Sequence, residues 1–270
     1  MRFVLTHQNL GKWAADYVIK KINAFAPNAD KKFVLGLPTG GTVVDMYACL
    51  CEATREGKVS FKNVVTFNMD EYVALAKTHP ESYYAYMHRN LFDHIDIDPN
   101  NVHILNGNAG DLEGECKAYE EAISRSGGIE LFLGGVGRNG HLAFNEPGTP
   151  FTSRTHKVSL TKSTIEANAR FFEGDLSQVP TQALTVGIGT VCDAKEVLIL
   201  VQGEKKADAM RRLLEEEPTQ DCPITALRRH PNATILVDEG ACKDLSAATK
   251  EKLRALQASA PDATHWTLEI

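Results

Sequence analysis

This 270-residue sequence lacks the features that mark several common functional classes. Positive charge is scarce: 29 Lys and Arg stand against 35 Asp and Glu, and the net charge of -6 argues against nucleic acid or an anionic membrane as the main partner. The six cysteines form no CxxC pair, which favours reduced thiols over a metal site or a disulfide framework. No apolar run approaches the roughly 20 residues of a membrane span, and the amino-terminal residues show no apolar secretion signal. We therefore expect a cytoplasmic protein.

Short β-type runs alternate with helical patterns along the chain. The runs are apolar without alternation, which is typical of strands buried on both faces of a parallel sheet, and they cover residues 33–37, 64–69, 131–133, 183–188, 197–201 and 234–237. Helical patterns cover residues 10–25, 43–54, 82–92, 112–124 and 205–215. The alternation predicts a single α/β domain over residues 1–270, with an open, doubly wound, mostly parallel sheet and helices on both faces (Rossmann-like). A (β/α)8 barrel also fits the length, but residues 145–180 are poor in strand signal.

The first candidate loop, PTGGT at residues 38–42, lies between a predicted strand and a predicted helix. Gly40 and Gly41 allow backbone N–H groups to approach an anion, and the helix N-terminus adds the positive end of its dipole. Thr39 and Thr42 supply hydroxyl donors. No Gly-Lys-Ser/Thr follows, so the loop is not a nucleotide-binding P-loop. It is either a phosphate site or a tight turn with a threonine helix cap.

The second candidate loop is acidic. Asp70 and Glu71 directly follow the apolar run VVTFNM. Acidic residues at the carboxyl end of a parallel strand lie where ligands bind in open α/β sheets. A helix-capping aspartate is the alternative, because aspartate is common at that position.

The third candidate loop, GVGRNGHLAFNEPG at residues 135–148, carries the most chemistry. It presents Asn139, His141 and Glu146, and a carboxylate beside an imidazole is a typical general acid–base arrangement. Glycines such as Gly137 bring the backbone close to a small ligand. The formal GxGxxG match is not a dinucleotide fingerprint, because a proline follows too soon for a helix. A purely structural histidine is the alternative.

With these loops in place, the sequence resembles the glucosamine-6-phosphate deaminase family. The matching segments span most of the chain: LGLPTGGT, VTFNMDEY, HPESYYAYMHRNLF, GGVGRNGHLAFNEPG, SRTHKVSL and ANARFF. The resemblance implies conversion of glucosamine 6-phosphate and water to fructose 6-phosphate and ammonium, in amino-sugar catabolism. It implies a small sugar-phosphate substrate, no metal and no organic cofactor, and a homo-oligomer of up to a hexamer.

The resemblance also assigns catalytic roles. The carboxylate that moves a proton from C2 to C1 falls on Asp70, the ring-opening histidine on His141, and the carboxylate that orients it on Glu146. Asn139 stands where some family members carry an aspartate, so Glu146 alone would place a negative charge beside the imidazole. The predicted catalytic set is Asp70, Asn139, His141 and Glu146.

Substrate-binding positions come from three segments. Gly40 to Thr42, Arg170 in ANARFF and Lys206 in GEKKA match the positions that hold the sugar phosphate in the family. Together with the two further loop residues, the predicted binding set is Thr39, Gly40, Gly41, Thr42, Gly137, Arg170 and Lys206. Residues 149–180 form a candidate lid.

Regulated family members bind N-acetylglucosamine 6-phosphate through an arginine and a lysine, where this sequence has His156 and Val158. Without those cations we expect weak or absent activation.

Two other functions stay open. A 6-phosphogluconolactonase would share the fold and the phosphate loop but needs no proton transfer from C2. A non-catalytic sugar-phosphate sensor would carry an added DNA-binding segment. Asp70 and Glu146 favour the deaminase.

Overall fold

Strands and helices alternate as predicted in the computed structural model, which describes residues 1–260 and 263–269. The strands are β1 (Arg2–Thr6), β2 (Phe33–Leu37), β3 (Val64–Asn68), β4 (Asp70–Tyr72), β5 (Val102–His103), β6 (Leu131–Gly135), β7 (His156–Ser159), β8 (Gln182–Thr185), β9 (Val197–Val201), β10 (Ala233–Val237) and β11 (His265–Glu269). The α-helices are α1 (Leu10–Phe25), α2 (Val44–Arg55), α3 (Tyr83–Asn90), α4 (Leu112–Arg125), α5 (Lys162–Asn168), α6 (Ile188–Cys192), α7 (Ala207–Glu215) and α8 (Ala247–Ser259).

The main sheet is open and has the strand order β11-β1-β10-β9-β6-β2-β3-β5. Its strands are parallel except for the edge strand β11, which runs antiparallel to β1. This confirms the predicted doubly wound, mostly parallel sheet in a single domain. A closed barrel is excluded, because β11 and β5 form free edges.

Both faces of the sheet are buried, which explains the uninterrupted apolar strands. Along β9, Leu198 and Leu200 pack on one side with residues of α1 and α2, whereas Ile199 packs on the other side with residues of α4, α7 and α8. All five residues of β9 are buried. Alternate residues of one strand therefore serve two separate cores, as a central parallel strand requires. Within residues 1–260 and 263–269, no helix combines the length and hydrophobicity of a membrane span.

One predicted strand lies in a different sheet. Residues 183–188 were expected in the parallel sheet, but β8 ends at Thr185, and Ile188 already begins α6. A small antiparallel sheet has the order β4-β8-β7, with Asp70 opposite Thr185. The prediction was wrong because an apolar run shows that a strand is buried without showing which neighbour it pairs with.

The carboxyl ends of the central parallel strands bring the predicted loops to one edge. Strands β9, β6, β2 and β3 are consecutive neighbours, and β3 continues through Met69 into β4. The segment 149–180 carries β7 and α5, and its apolar residues pack with Tyr72 and Phe144 in a third cluster. It is therefore part of the layer next to these strand ends.

Candidate active site

The loop after β2 leaves backbone donors unused. The N–H groups of Gly40, Gly41 and Thr42 make no hydrogen bond within the described part of the chain. A methyl group built on either glycine would meet no atom within 4 Å, so this side of the loop is open. Gly40 has a φ of 109°, which side-chain-bearing residues disfavour. Neither Thr39 nor Thr42 caps the following helices, so the alternative of a threonine-capped turn is wrong.

Asp70 follows β3 and begins β4 as a buried carboxyl without a protein partner. Its residue is 7% exposed, and its side chain makes no hydrogen bond or ion pair within residues 1–260 and 263–269. Burial, with the neighbouring Glu71 carboxylate, raises the pKa of Asp70 to about 8. The helix-cap alternative is wrong, because α3 is capped by Ser82, whose hydroxyl accepts the N–H of Ala85. A carboxyl with a pKa near neutrality is suited to taking and returning a proton.

Glu146 is the centre of a hydrogen-bond network in the loop after β6. Its Oε2 accepts from Asn139 Nδ2 at 2.7 Å and lies 3.4 Å from His141 Nδ1. Its Oε1 accepts from Thr161 at 3.1 Å and from Thr164 at 2.5 Å. Burial opposes ionisation, but the adjacent imidazole and the hydrogen bonds lower the pKa of Glu146 to about 2. Glu146 therefore presents a fixed negative charge to the histidine.

The imidazole of His141 lies directly against Gly137. A Cβ at Gly137 would come within 2.2 Å of the ring atoms Cε1 and Nε2, so only glycine leaves room for the ring. The Gly137 N–H also donates to the His141 carbonyl at 2.9 Å, which closes the turn. The buried Nδ1 is not aligned for a hydrogen bond at 3.4 Å from Glu146, and it has no other partner in the described residues.

Four cations from three segments form a cation cluster, in which the first three act on the charge of the last: Arg138, Arg170, Lys205 and Lys206. None of them makes an ion pair within the described residues. Burial and the charges of Arg138, Arg170 and Lys205 lower the pKa of Lys206 to about 8. Neighbouring cations that make no ion pair are suited to binding an anion. The sequence predicted Arg170 and Lys206 here.

Sequence reasoning missed four residues of this site. Arg138 and Lys205 join the cation cluster, and the available signals were an arginine directly before Asn139 and a lysine directly before Lys206 in an acidic chain. Thr161 and Thr164 hold Glu146 from the first residues of α5 and its cap. No local pattern connects them to a carboxylate so far away in the chain.

The predicted residues thus come to one edge of the sheet. Gly40 follows β2, Asp70 follows β3, His141 follows β6, and Lys206 follows β9. These four strands are neighbours, and adjacent strands lie about 4.8 Å apart, so the loops fit around one small ligand.

Similar proteins are known in sequence and in structure. Residues 6–236 match the family model of glucosamine-6-phosphate isomerases/6-phosphogluconolactonase. The glucosamine-6-phosphate deaminase of Porphyromonas gingivalis is 56% identical over 251 residues, which cover 92% of this chain and 95% of that protein. The solved structure of a monomeric glucosamine-6-phosphate deaminase is 42% identical, with a TM-score of 0.84 over 89% of this chain and 98% of that chain. The 6-phosphogluconolactonase of Thermotoga maritima, 19% identical with a TM-score of 0.68 over 87% of this chain and 98% of that chain, shares the fold.

Proposed function

The chain belongs to the glucosamine-6-phosphate isomerase/6-phosphogluconolactonase family, among its glucosamine-6-phosphate deaminases, and on this premise we propose that it converts glucosamine 6-phosphate and water to fructose 6-phosphate and ammonium. One observation carries the proposal: Asp70 is a buried carboxyl without a partner in the described residues and has a pKa of about 8, and it lies opposite Thr185, whose hydroxyl accepts the N–H of Phe144 in the His141 loop. Hydrolysis of a lactone needs no such group, because no proton moves between carbons.

The first step is opening of the sugar ring. His141 takes the proton of the anomeric hydroxyl and delivers a proton to the ring oxygen, for which a side chain with an ordinary pKa of about 6.5 is suited. The Glu146 carboxylate stabilises the imidazolium that forms between the two transfers, from 3.4 Å away. Thr161 and Thr164 keep that carboxylate in place.

The second step moves a proton between adjacent carbons. Asp70, in its ionised form, takes the C2 proton that the open-chain aldehyde has acidified, a proton of the substrate's ammonium group moves to the C1 oxygen, and an enolamine forms. The protonated Asp70 then returns the proton at C1, which gives a ketimine at C2. Water adds to the ketimine, and ammonium and the ketose phosphate leave. The high pKa of Asp70 makes the ionised carboxylate a stronger base than an exposed aspartate, which favours the abstraction.

The phosphate anchors the substrate during these steps. The free N–H groups of Gly40, Gly41 and Thr42 and the hydroxyls of Thr39 and Thr42 would donate to its oxygens. Arg138, Arg170 and Lys206 would balance its charge. Binding energy at a remote phosphate orients the sugar carbons at Asp70 and His141. A dianion would also keep Lys206 protonated, against the burial and the neighbouring cations that lower its pKa to about 8.

We propose that the segment 149–180 acts as a lid over the site. It carries Thr161 and Thr164, which bind Glu146, and Arg170 of the cation cluster. Closure of this segment would therefore place both the threonines that hold Glu146 and the Arg170 cation for the phosphate. We propose that the chain can act as a monomer, because the solved relative is named as a monomeric glucosamine-6-phosphate deaminase. We place the activity in the cytoplasm, in amino-sugar catabolism, which suits the six free cysteines.

The direct test is incubation of the purified protein with glucosamine 6-phosphate. We expect ammonium and fructose 6-phosphate in equal amounts. A parallel incubation with 6-phosphogluconolactone should show hydrolysis no faster than in buffer. Hydrolysis of the lactone without ammonium release would support the lactonase alternative. Binding of the sugar phosphate without either reaction would support the sensor alternative.

A further inference from the structure

Helix α3 is attached at its first turn to the residue that follows Asp70. The buried carboxylate of Glu71 accepts the N–H groups of Tyr83 at 3.0 Å and Tyr84 at 2.9 Å, together with the N–H of Tyr72 at 2.8 Å. Glu71 is 4% exposed, so these hydrogen bonds lie away from solvent. The start of α3 therefore has a fixed position relative to β4 and the proton-transferring carboxyl.

The same helix reaches the loop after β2 through Tyr86. The Tyr86 hydroxyl donates to the carbonyl of Gly40 at 2.8 Å, and the Val43 N–H donates to the same carbonyl at 3.4 Å. A second phenol, that of Tyr47, donates to the carbonyl of Pro38. The loop is thus held from behind by side chains that bind its carbonyl groups.

Holding the Gly40 carbonyl also fixes the direction of the Gly41 N–H, which lies on the opposite side of the same peptide. In a trans peptide the C=O and the N–H point in opposite directions, so a carbonyl turned toward Tyr86 directs the Gly41 N–H away from α3. That N–H has no hydrogen-bond partner in the described residues, and the space beside Gly41 is open. Without the Tyr86 hydroxyl, only the longer Val43 hydrogen bond at 3.4 Å would hold this peptide, because neither glycine restricts its rotation by a side chain.

We propose that Tyr86 is a positioning residue for phosphate binding, whose hydroxyl holds the Gly40–Gly41 peptide so that the Gly41 N–H donates to the substrate phosphate. The inference deepens the proposed function and rests on it for the nature of the ligand, a phosphate ester. Burial raises the pKa of Tyr86 to about 12, so the hydroxyl stays a donor throughout the working pH range. Glu71 fixes the helix from which Tyr86 reaches the loop.

The first experiment compares the parent with Tyr86→Phe, which removes only the hydroxyl. Calorimetry with inorganic phosphate should give a Kd about threefold to tenfold higher in the variant, as expected for one hydrogen bond. With glucosamine 6-phosphate, KM should rise by a similar factor while kcat stays within about twofold. The matched control is Tyr84→Phe on the same helix, whose hydroxyl makes no hydrogen bond in the described residues. Tyr84→Phe should leave the Kd for phosphate and the KM for glucosamine 6-phosphate unchanged.

A second variant tests whether Tyr86 acts through the Gly41 N–H. Gly41→Pro removes this donor at the first position of a 3-10 turn, where proline is tolerated. It should weaken phosphate binding, and adding Tyr86→Phe to it should weaken binding no further. Full additivity of the two changes would overturn the proposal, and so would a Tyr86→Phe variant with unchanged phosphate affinity. Because calorimetry needs no turnover, absent ammonium release would refute the proposed function without altering this test.

Discussion

Asn139 donates its side-chain N–H to Glu146 Oε2 across 2.7 Å, on the same oxygen that faces His141. The amide thus contributes a hydrogen bond and no charge, so the imidazole faces one carboxylate rather than two. An aspartate at this position would bring a second carboxylate to hydrogen-bond distance of Glu146. The pair of residues at positions 139 and 146 therefore sets how much negative charge the ring-opening histidine experiences.

Asn139→Asp should move the NMR titration profile of the His141 imidazole to higher pH, a readout that is separate from the acid limb of kcat/KM, which ionisation of Asp70 governs. A second negative charge stabilises the protonated imidazole, so more alkaline solution is needed to free the base. The shift should be about half a unit to one unit. Asn139→Ala, which removes the hydrogen bond without adding charge, is the control and should show no upward shift. Overlapping profiles of the aspartate variant and the parent would contradict this reading.

Arg138→Ala should weaken substrate binding, because it removes one cation from the cluster around Lys206. We expect KM for glucosamine 6-phosphate to rise by about threefold to tenfold with little change in kcat, and the dependence of KM on salt to become shallower. Arg55→Ala removes an exposed arginine at the far end of α2 and controls for the loss of net charge. Equal effects of the two substitutions would show that Arg138 has no special place in the site.

Asp70→Asn should stabilise the fold, and more so at higher pH. The folded pKa of about 8 lies above the ordinary value of about 3.9, so the folded state binds this proton more tightly than the unfolded state. The cost of ionising the buried carboxyl is absent below about pH 4 and fully present above about pH 8. Asparagine avoids that cost, which the two pKa values put on the order of 5 kcal/mol at pH 8 and about 1.5 kcal/mol at pH 5.

Urea unfolding of parent and variant at pH 5 and pH 8 measures this difference. Asp30→Asn, at an exposed aspartate, is the control and should leave stability unchanged at both values. A variant that is less stable than the parent at pH 8 would mean that the Asp70 carboxylate makes a favourable interaction in the fold.

N-acetylglucosamine 6-phosphate should not activate the protein. Val158 packs against an apolar cluster, and His156 Nδ1 lies 2.8 Å from the Arg154 carbonyl, so neither supplies a fixed cation. Arg154 itself is paired with Glu120 and Asp193. Substrate saturation should be hyperbolic with or without the effector, at any protein concentration. Sigmoidal saturation that the effector abolishes would refute the prediction.

The sequence was sufficient for the parts of the fold that repeat a local pattern. The helix at Leu10–Phe25 and the strands at Phe33–Leu37 and Val197–Val201 have the predicted bounds, because periodicity and apolar runs reflect burial directly. The strand at β7 escaped notice, since its half-buried residues alternate with exposed ones over only four positions. The pairing of β8 depends on contacts with β4 that lie more than a hundred residues away.

The site residues likewise divide into those that a local sequence pattern marks and those that only tertiary packing brings in. Asp70, His141 and Glu146 stand in compact motifs at strand ends, where residue type and position already indicate chemistry. The hydrogen bond from Tyr86 to Gly40 joins residues that are distant in the chain, and so does that from Thr164 to Glu146. Such contacts follow from tertiary packing, for which a single sequence carries no local pattern.

The most direct test of proton transfer by Asp70 follows a deuterium label from C2 to C1 of the sugar. Glucosamine 6-phosphate deuterated at C2 is converted by the protein, and the product is examined by NMR. We expect deuterium at C1 of fructose 6-phosphate in part of the product, because the buried Asp70 carries it between the carbons, and we expect no ammonium from the Asp70→Asn variant. Ammonium release by that variant at the parent's rate, or product that never carries deuterium at C1, would contradict it.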